Sequence, residues 1–426
     1  MAEPSPFAFL RLRLPLWVVS ALLVIVLAGG LGVGLLVGFL ANRSPVACPE
    51  SPEVCEEFAI FWEAWELSRS RFVDAEAANP EVMIAGAITG MVDSLGDQGH
   101  TRFLTASEAE AWDTSLSGSF EGIGAYIDVR DGQTMIVAPI EGSPAEQAGI
   151  LPGDAILAVD GDPTTDWSID LLRTRVRGPK GTTVTLLLQR AGVPEPFEVA
   201  VVRDQVVVPS VSWHLLPEEV ALVRLSSFDS NSGRQMREAL LAAREQGARA
   251  VILDLRNNPG GLLDQAVEVA SQFLPAGTVV LQEEDREGRR TSRTTQSGGV
   301  ALDLPLFVLI NNNSASSSEI VSGAFQAADR GMLIGETTFG TGTVLTPYRL
   351  SDGSRLLLGT QQWLTPDGAL IRGQGITPDE EVRLPFDVIP LRPTDLENLS
   401  RDEIMNSDDL QLVRALKLAT ETVGTR

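Results

Sequence analysis

The sequence predicts a layered α/β core carrying an inserted β-rich domain, preceded by a helical segment and one N-terminal apolar span. Three observations carry this. Residues 206–385 alternate apolar strand runs with amphipathic helical runs, the pattern of a sheet covered by helices. Residues 118–205 change to short alternating strands separated by Gly, Pro and Asp turns. Residues 14–41 run for 28 positions without a charged side chain.

At about 1.5 Å per helical residue, the apolar run crosses ~30 Å of hydrocarbon with some tilt. Arg11 and Arg13 precede it with no acid between. The positive-inside rule then puts the N-terminus in the cytoplasm and residues from about Asn42 onward outside. A cleaved signal peptide is the competing reading, but the run is long for one and no clean small-x-small site follows. Gly30, Gly34 and Gly38 are spaced four apart, which lets two helices approach closely. Gly is also common in membrane helices, so a homo-oligomer stays open. Cys48 and Cys55 are the only cysteines. In an oxidising compartment a local disulfide between them would clip the juxtamembrane loop.

Residues 44–55, rich in Pro, Ser and Glu, read as a linker. From Glu56 the pattern is helical: Phe58, Phe61, Trp62 and Trp65 recur at three- and four-residue steps, and Ile84, Ile88, Met91 and Val92 do the same. Gly96 and Asp97 break it within LGDQGHTRFL (95–104). In the inserted region, strands are expected over 125–129, 134–138 and 182–190, with a short helix and turn in GSPAEQAGILPGD (142–154). The α/β region should hold strands at 220–225, 250–255 and 304–310, a helix over 233–247 and another starting near Ser316. The charged tail from Pro393 carries an amphipathic helix near 409–422. The expected divisions are 1–43 (cytoplasmic N-terminus and membrane helix), 44–117 (linker and helical segment), 118–205, 206–388, and 389–426 (tail).

Composition excludes some functions. Net charge is −24, from 33 basic and 57 acidic residues, so phosphate backbones are repelled and nucleic acid is not an expected partner. Two His and two Cys argue against a metal site built from those ligands. The two lysines are Lys180 and Lys417.

Three segments hold chemistry. In GSFEGIGAYI (118–127), the amides of Gly122, Ile123 and Gly124 can line a concavity for a terminal carboxylate. The adjacent strand edge can pair with an extended peptide. Ile123, Ile127 and Leu172 are the candidates to line its apolar pocket. A β-rich scaffold with an inert loop is the plainer alternative. With residues 142–161, this loop resembles a PDZ domain of the bacterial protease type. DLRNNPGG (254–261) forces a tight turn that brings backbone amides to a strand end, where they can stabilise an oxyanion. NNNSASSSEIVSGA (311–324) puts serine at a strand-to-helix junction, with an exposed hydroxyl at the positive end of a helix dipole. Either motif alone reads as a turn or a cap; together, at the ends of neighbouring strands, they read as a catalytic centre.

FWEAWELSRSRFVD, GDQGHTRFL, the PDZ-like segment, DLRNNPGG, NSASSSEI, IGETTFGTGTV and GQGITPDEEV follow one another in the order found in the C-terminal processing peptidases, or tail-specific proteases. The resemblance runs from about residue 56 to 385. It implies a peptidase core of the crotonase/Clp-like α/β type, an inserted PDZ domain that recognises protein or peptide C-termini, and proteolysis through a serine acyl-enzyme with a lysine base and no cofactor. The family nucleophile falls on Ser316. The oxyanion donors fall on the N–H groups of Gly260 or Gly261 and of Ser317.

The chain departs from this family at one point. The lysine belongs in F-G-K-G-x-V-Q, and here the stretch is FGTGTVL: Thr341 takes the lysine position and Leu345 the glutamine position. A threonine hydroxyl is no base near neutral pH, and leucine cannot orient a partner. Lys180 lies in the PDZ-like segment and Lys417 in the tail, so neither is placed to substitute. His100, in GDQGHTRF, resembles the D-G-H-T stretch of a sister branch that pairs serine with histidine. The glutamate orienting that histidine has no counterpart in IRGQGITPD, where Arg372 and Gln374 stand. Gln374, Glu336 and Asp367 are the alternatives. The plainer reading of His100 is a turn histidine bonded to backbone, and His214 reads as structural. Two functions stay open: a membrane-anchored extracytoplasmic serine peptidase, and a pseudo-peptidase that binds C-termini through its PDZ domain.

Overall fold

The first helix, α1 (Pro52–Arg71), starts where its sequence dictates. Ser51 accepts from the Val54 N–H, Pro52 occupies the first turn, Glu53 faces the positive end of the dipole, and Arg69 and Arg71 sit in the last turn. It begins inside the segment expected to be a linker, because Ser-Pro-Glu is also a helix start. None of its residues is buried; Phe58, Phe61, Trp62 and Trp65 pack against one another, with ring centroids 5.3–6.3 Å apart. Cys55 on α1 is disulfide-bonded. The computed structural model describes residues 51–97, 100–130, 133–140, 142–165, 167–385 and 387–424. The apolar run 14–41 and Cys48 lie outside the described residues. Among the described residues no helix is long and apolar enough to cross a membrane. The chain divides after Ile84, and Ala85–Arg426 forms one compact unit; helix α2 (Pro80–Asp93) spans the division.

Strand β1 (Arg102–Leu104) and helix α3 (Ala106–Ser117) precede the inserted domain. That domain comprises β2 (Ser119–Gly122), β3 (Ala125–Arg130), β4 (Gln133–Pro139), α4 (Pro144–Gln147), β5 (Ala155–Val159), β6 (Asp162–Pro163), α5 (Ile169–Val176), β7 (Thr183–Gln189), β8 (Phe197–Val202) and β9 (Asp204–Val207). Its sheet runs β3-β4-β5-β7-β8, with β6 on β5, so β3 is an edge strand. The entering strand β2 pairs with the leaving strand β9. Along β7, Val184, Leu186 and Leu188 are buried at every second position, as a half-buried strand requires. Ile123 and Leu172, expected to line a groove, are instead closed within this domain's core with Ile136, Ile156 and Leu186. Ile127 is only partly buried against that core. Gly122 pairs with Asp204.

The α/β region holds β10 (Val211–Leu216), β11 (Val220–Leu225), α6 (Ser232–Glu245), β12 (Ala250–Asp254), α7 (Leu263–Ser271), β13 (Val279–Glu284), β14 (Arg290–Thr294), β15 (Leu306–Ile310), α8 (Ser317–Ala327), β16 (Met332–Gly335), β17 (Thr343–Arg349), β18 (Arg355–Leu364), β19 (Glu380–Glu381), α9 (Arg401–Met405) and α10 (Leu410–Gly424). One sheet runs β10-β11-β12-β15-β16-β19, parallel except for β10. Its central strands, AVILD and LFVLI, are buried on both faces, which is why they read as continuous apolar runs. Alternate side chains serve two layers. Val223, Leu253 and Val308 pack with Met236, Leu240 and Phe325 of α6 and α8. Leu222, Ile252 and Leu309 pack with Leu412, Leu416 and Ala419 of α10. The segment expected to be a tail is therefore the second covering layer of the sheet.

A second sheet runs β1-β18-β13-β14, with β17 also paired to β18. Through β18 it brings the segment before β1, which holds His100, next to β17.

A buried charge cluster ties the C-terminal layer to the end of β12. Arg256 is wholly buried; it donates to both oxygens of Asp254 at 2.9 and 3.0 Å and to Asp409 at 2.7 Å. Arg224 reaches Asp254 at 3.0 Å. Two cations face two carboxylates, so removing one partner strands a charge in low dielectric. Asp409→Ala is expected to lower the unfolding free energy by about 3 kcal/mol, measured as a lower urea midpoint with early proteolysis in α10. An unchanged midpoint would show that the cluster does not hold the layer.

Candidate active site

Two loops at the C-terminal ends of β12 and β15 build the site. After Asp254 the chain turns sharply, with φ of 57° at Asn257, 95° at Gly260 and 144° at Gly261. The Asn258 side chain fixes the turn, donating to the Leu225 carbonyl at 2.8 Å and accepting from the Gly260 N–H at 2.9 Å. A Cβ on Gly260 would lie 2.7 Å from the Ser316 Cβ, and one on Gly261 would lie 2.3 Å from the Phe228 carbonyl oxygen. Both positions require glycine. The loop after β15 is bonded onto this turn: Ala315 N–H and Ser318 Oγ each donate to the Asn258 carbonyl at 3.0 Å, and Ser314 Oγ donates to the Leu255 carbonyl at 2.8 Å.

Ser316 sits between this loop and α8 with φ 56° and ψ −118°. Such a backbone costs an L-residue about 1–3 kcal/mol and persists only where its surroundings impose it. Here the Ser316 N–H donates to Glu319 Oε2 at 2.8 Å and to Thr341 Oγ1 at 3.0 Å. Glu319, wholly buried, also accepts from Thr338 Oγ1 at 2.7 Å, Gly340 N–H at 2.6 Å, and Thr341 N–H and Oγ1 at 3.0 and 2.7 Å. The Ser316 side chain makes no helix-cap hydrogen bond. It lines a cleft of about 930 Å³ shared with Gly260, Gly261, His100, Thr341 and Leu345. The rest of the wall is mainly apolar, with Phe228, Leu262, Leu263, Phe339, Val344 and Trp363.

The position of the family lysine is accounted for. The Thr341 hydroxyl donates to Glu319 and accepts from the Ser316 N–H, so it supports the serine backbone and offers no base. Leu345 packs beside Leu104, Ala109 and Leu357. Lys180 pairs with Asp204 at 2.5 Å in the inserted domain, and Lys417 is exposed on α10; neither lines the cleft. The basic side chains that do are His100 and Arg102.

His100 Nδ1 lies 2.5 Å from Thr343 Oγ1, so its ring is bonded to a side chain rather than to backbone. The ring stands edge-on to Trp363, with centroids 6.3 Å apart. Burial pushes its pKa down to about 4, with Asp97 opposing and Arg102 adding to the shift. The imidazole is therefore neutral near pH 7. Among the described residues no hydrogen bond joins His100 to Ser316, and none joins it to Gln374, Glu336 or Asp367. The acid that approaches is Asp97, reached through Thr343 at 3.1 Å. His214 pairs with Leu222 in β10 and does not line the cleft.

The oxyanion donors need one correction. The Gly260 N–H is committed to Asn258. The N–H groups of Gly261 and Ser317 have no acceptor among the described residues. Gly261 is partly exposed and lines the cleft; Ser317 is buried, with its backbone nitrogen 2.9 Å from where a Cβ on Gly260 would stand. Sequence reasoning passed over Glu319, although S-x-x-E is a capping-box signature. It also passed over Asp97 and Thr343, which carry no local signal.

Peptidase family S41 matches residues 219–382, and a PDZ domain matches residues 135–190. The carboxy-terminal processing protease CtpA of Bacillus subtilis is 34% identical over 365 residues, spanning 85% of this chain and 77% of that protein. The carboxyl-terminal-processing protease of Synechocystis is 37% identical over 366 residues, spanning 84% and 82%. Among solved structures, the photosystem II D1 C-terminal processing protease is 28% identical, covering 84% of this chain and 99% of that one, with a TM-score of 0.46. With its strained serine between two glycine- and serine-rich loops and its inserted PDZ domain, the chain belongs to the carboxy-terminal processing peptidases of family S41, which are serine-type enzymes.

Proposed function

We propose that Ser316 is the nucleophile and His100 the general base of a peptidase that cleaves proteins near their C-termini. The observation that carries this is a single cleft holding both the strained Ser316 and a neutral imidazole, with the Thr341 hydroxyl already committed. His100 Nε2 takes the Ser316 proton as Oγ attacks the scissile carbonyl. The N–H groups of Gly261 and Ser317 receive the oxyanion. The imidazolium returns its proton to the leaving amine, and water then releases the acyl group by the same route. The edge strand β3 supports addition of an extended substrate end to the PDZ sheet, and the apolar cleft suits apolar residues around the scissile bond. Residues 14–41 anchor the chain in the cell membrane, with the catalytic unit outside the cytoplasm. The charge-free run after Arg11 and Arg13 supports this, as does the disulfide-bonded Cys55.

A second reading, a binding module without turnover, is favoured by the missing lysine and by the lack of a Ser316–His100 hydrogen bond. The two separate in one assay. A fluorophosphonate probe should label Ser316, and Ser316→Ala should abolish labelling and peptide cleavage. His100→Gln should lower kcat/KM by about 10²–10⁴-fold. A wild-type chain that binds C-terminal peptides yet shows no turnover above the Ser316→Ala control is the binding module.

The pH dependence has a definite sign. The neutral ring is the base, and its pKa lies at about 4. Activity should therefore hold as pH falls from 7 towards 5.5 and be lost as pH approaches 4. The charged groups around the ring are Asp97, Arg102 and, paired with Asp97, Arg372. An acid limb centred at the ordinary histidine value would contradict the assignment. For the membrane anchor, protease added outside intact spheroplasts should digest the chain from about Asn42 onward; protection until lysis would overturn that topology.

A further inference from the structure

We propose that Thr343 and Asp97 are positioning residues for His100: Asp97, acting through the Thr343 hydroxyl, holds the imidazole in the tautomer that carries its proton on Nδ1. This rests on the reading of His100 as the base.

The hydrogen bonds leave one arrangement. Thr343 Oγ1 lies 2.5 Å from His100 Nδ1 and 3.1 Å from Asp97 Oδ2. A threonine hydroxyl has one proton to give, and a carboxylate can only accept. The Thr343 proton therefore goes to Asp97, and its oxygen must accept from Nδ1–H. With the proton on Nδ1, Nε2 holds the lone pair that a base needs. When Nε2 takes the serine proton, both ring nitrogens are protonated. The Asp97 charge then stabilises the cation through the polarised Thr343 hydroxyl, and no proton moves to Asp97.

The surroundings are built for this. Asp97 also accepts from Thr101 Oγ1 at 2.6 Å and pairs with Arg372 at 3.3 Å, so its carboxylate is fixed from three sides. Thr101 in turn accepts from the Gly359 N–H at 2.8 Å. A Cβ on Gly359 would lie 2.9 Å from Asp97 Oδ2, 3.0 Å from Thr343 Cβ and 3.1 Å from Thr101 Oγ1. The missing side chain on β18 is what lets the three groups converge. The orienting acid thus comes from three positions before the histidine in sequence, not from the segment before GITPD.

The test uses the full chain carrying His214→Gln, which leaves His100 as the only imidazole. With ¹⁵N-histidine labelling, the ring should show a protonated Nδ1 and an unprotonated Nε2 at pH 7. Thr343→Val removes the hydroxyl at nearly constant volume. It should shift the ring toward the other tautomer and lower kcat by about 10²-fold or more, with KM little changed. Thr343→Ser should restore both the tautomer and kcat. A Thr343→Val chain that keeps the Nδ1–H signature and its kcat overturns the proposal, as does a Thr343→Ser chain no better than Thr343→Val. The underlying reading fails separately: if His100→Gln retains wild-type kcat, the base assignment is wrong whatever the tautomer.

Discussion

Ser316 is held by one buried carboxylate. Glu319 accepts five hydrogen bonds, all from neutral donors: three backbone amides and two threonine hydroxyls. Burying a charge without a counter-ion is costly unless its lone pairs are met by well-placed donors. Here they are met by groups from two separate segments, the Ser316 turn and residues 338–341. The carboxylate therefore welds the FGTG loop to the Ser316 turn and imposes the positive φ at Ser316. Thr341 belongs to that weld. Its hydroxyl relays between the carboxylate and the serine amide, so the change away from lysine leaves a satisfied polar network rather than a hole.

The imidazole of the cleft comes from elsewhere in the fold. His100 precedes β1 and reaches the site because β1 and β17 flank β18 in one sheet. Two sheets thus meet at the cleft: loops at the ends of the parallel sheet carry Ser316 and Gly261, and the antiparallel sheet carries Thr343 on β17 and, just before β1, the turn with Asp97 and His100. The division is physical. Tight turns at parallel strand ends expose amides, whereas the antiparallel sheet sets Thr343 on β17 beside the turn that precedes β1.

Much of this was readable in the residues. The central strands declared themselves as apolar runs because both faces are covered, and DLRNNPGG and SASSSE declared themselves because turns and junctions restrict residue type. What stayed hidden was long-range. Asp97 and Thr343 are 246 residues apart, and nothing local marks them as partners. Ile123 and Leu172 looked like groove residues because an apolar residue near a glycine loop reads the same whether it faces a ligand or a core. The C-terminal segment looked like a tail because its amphipathic helix shows an apolar face without showing what that face covers, which the sheet reveals. The S-x-x-E pattern announced a cap, but four of the five donors come from residues 338–341, some twenty residues on.

That last layer also sets an order of assembly. Asp409 grips Arg256, which stands two residues before Asn258 and just ahead of the glycines of the Asn-Pro-Gly-Gly turn. Asp409 lies 153 residues beyond Arg256, so a ribosome must release every strand and helix between them before this latch can close. A chain that stops short of Asp409 keeps the turn sequence but leaves Arg256 with Asp254 alone as its buried counter-charge.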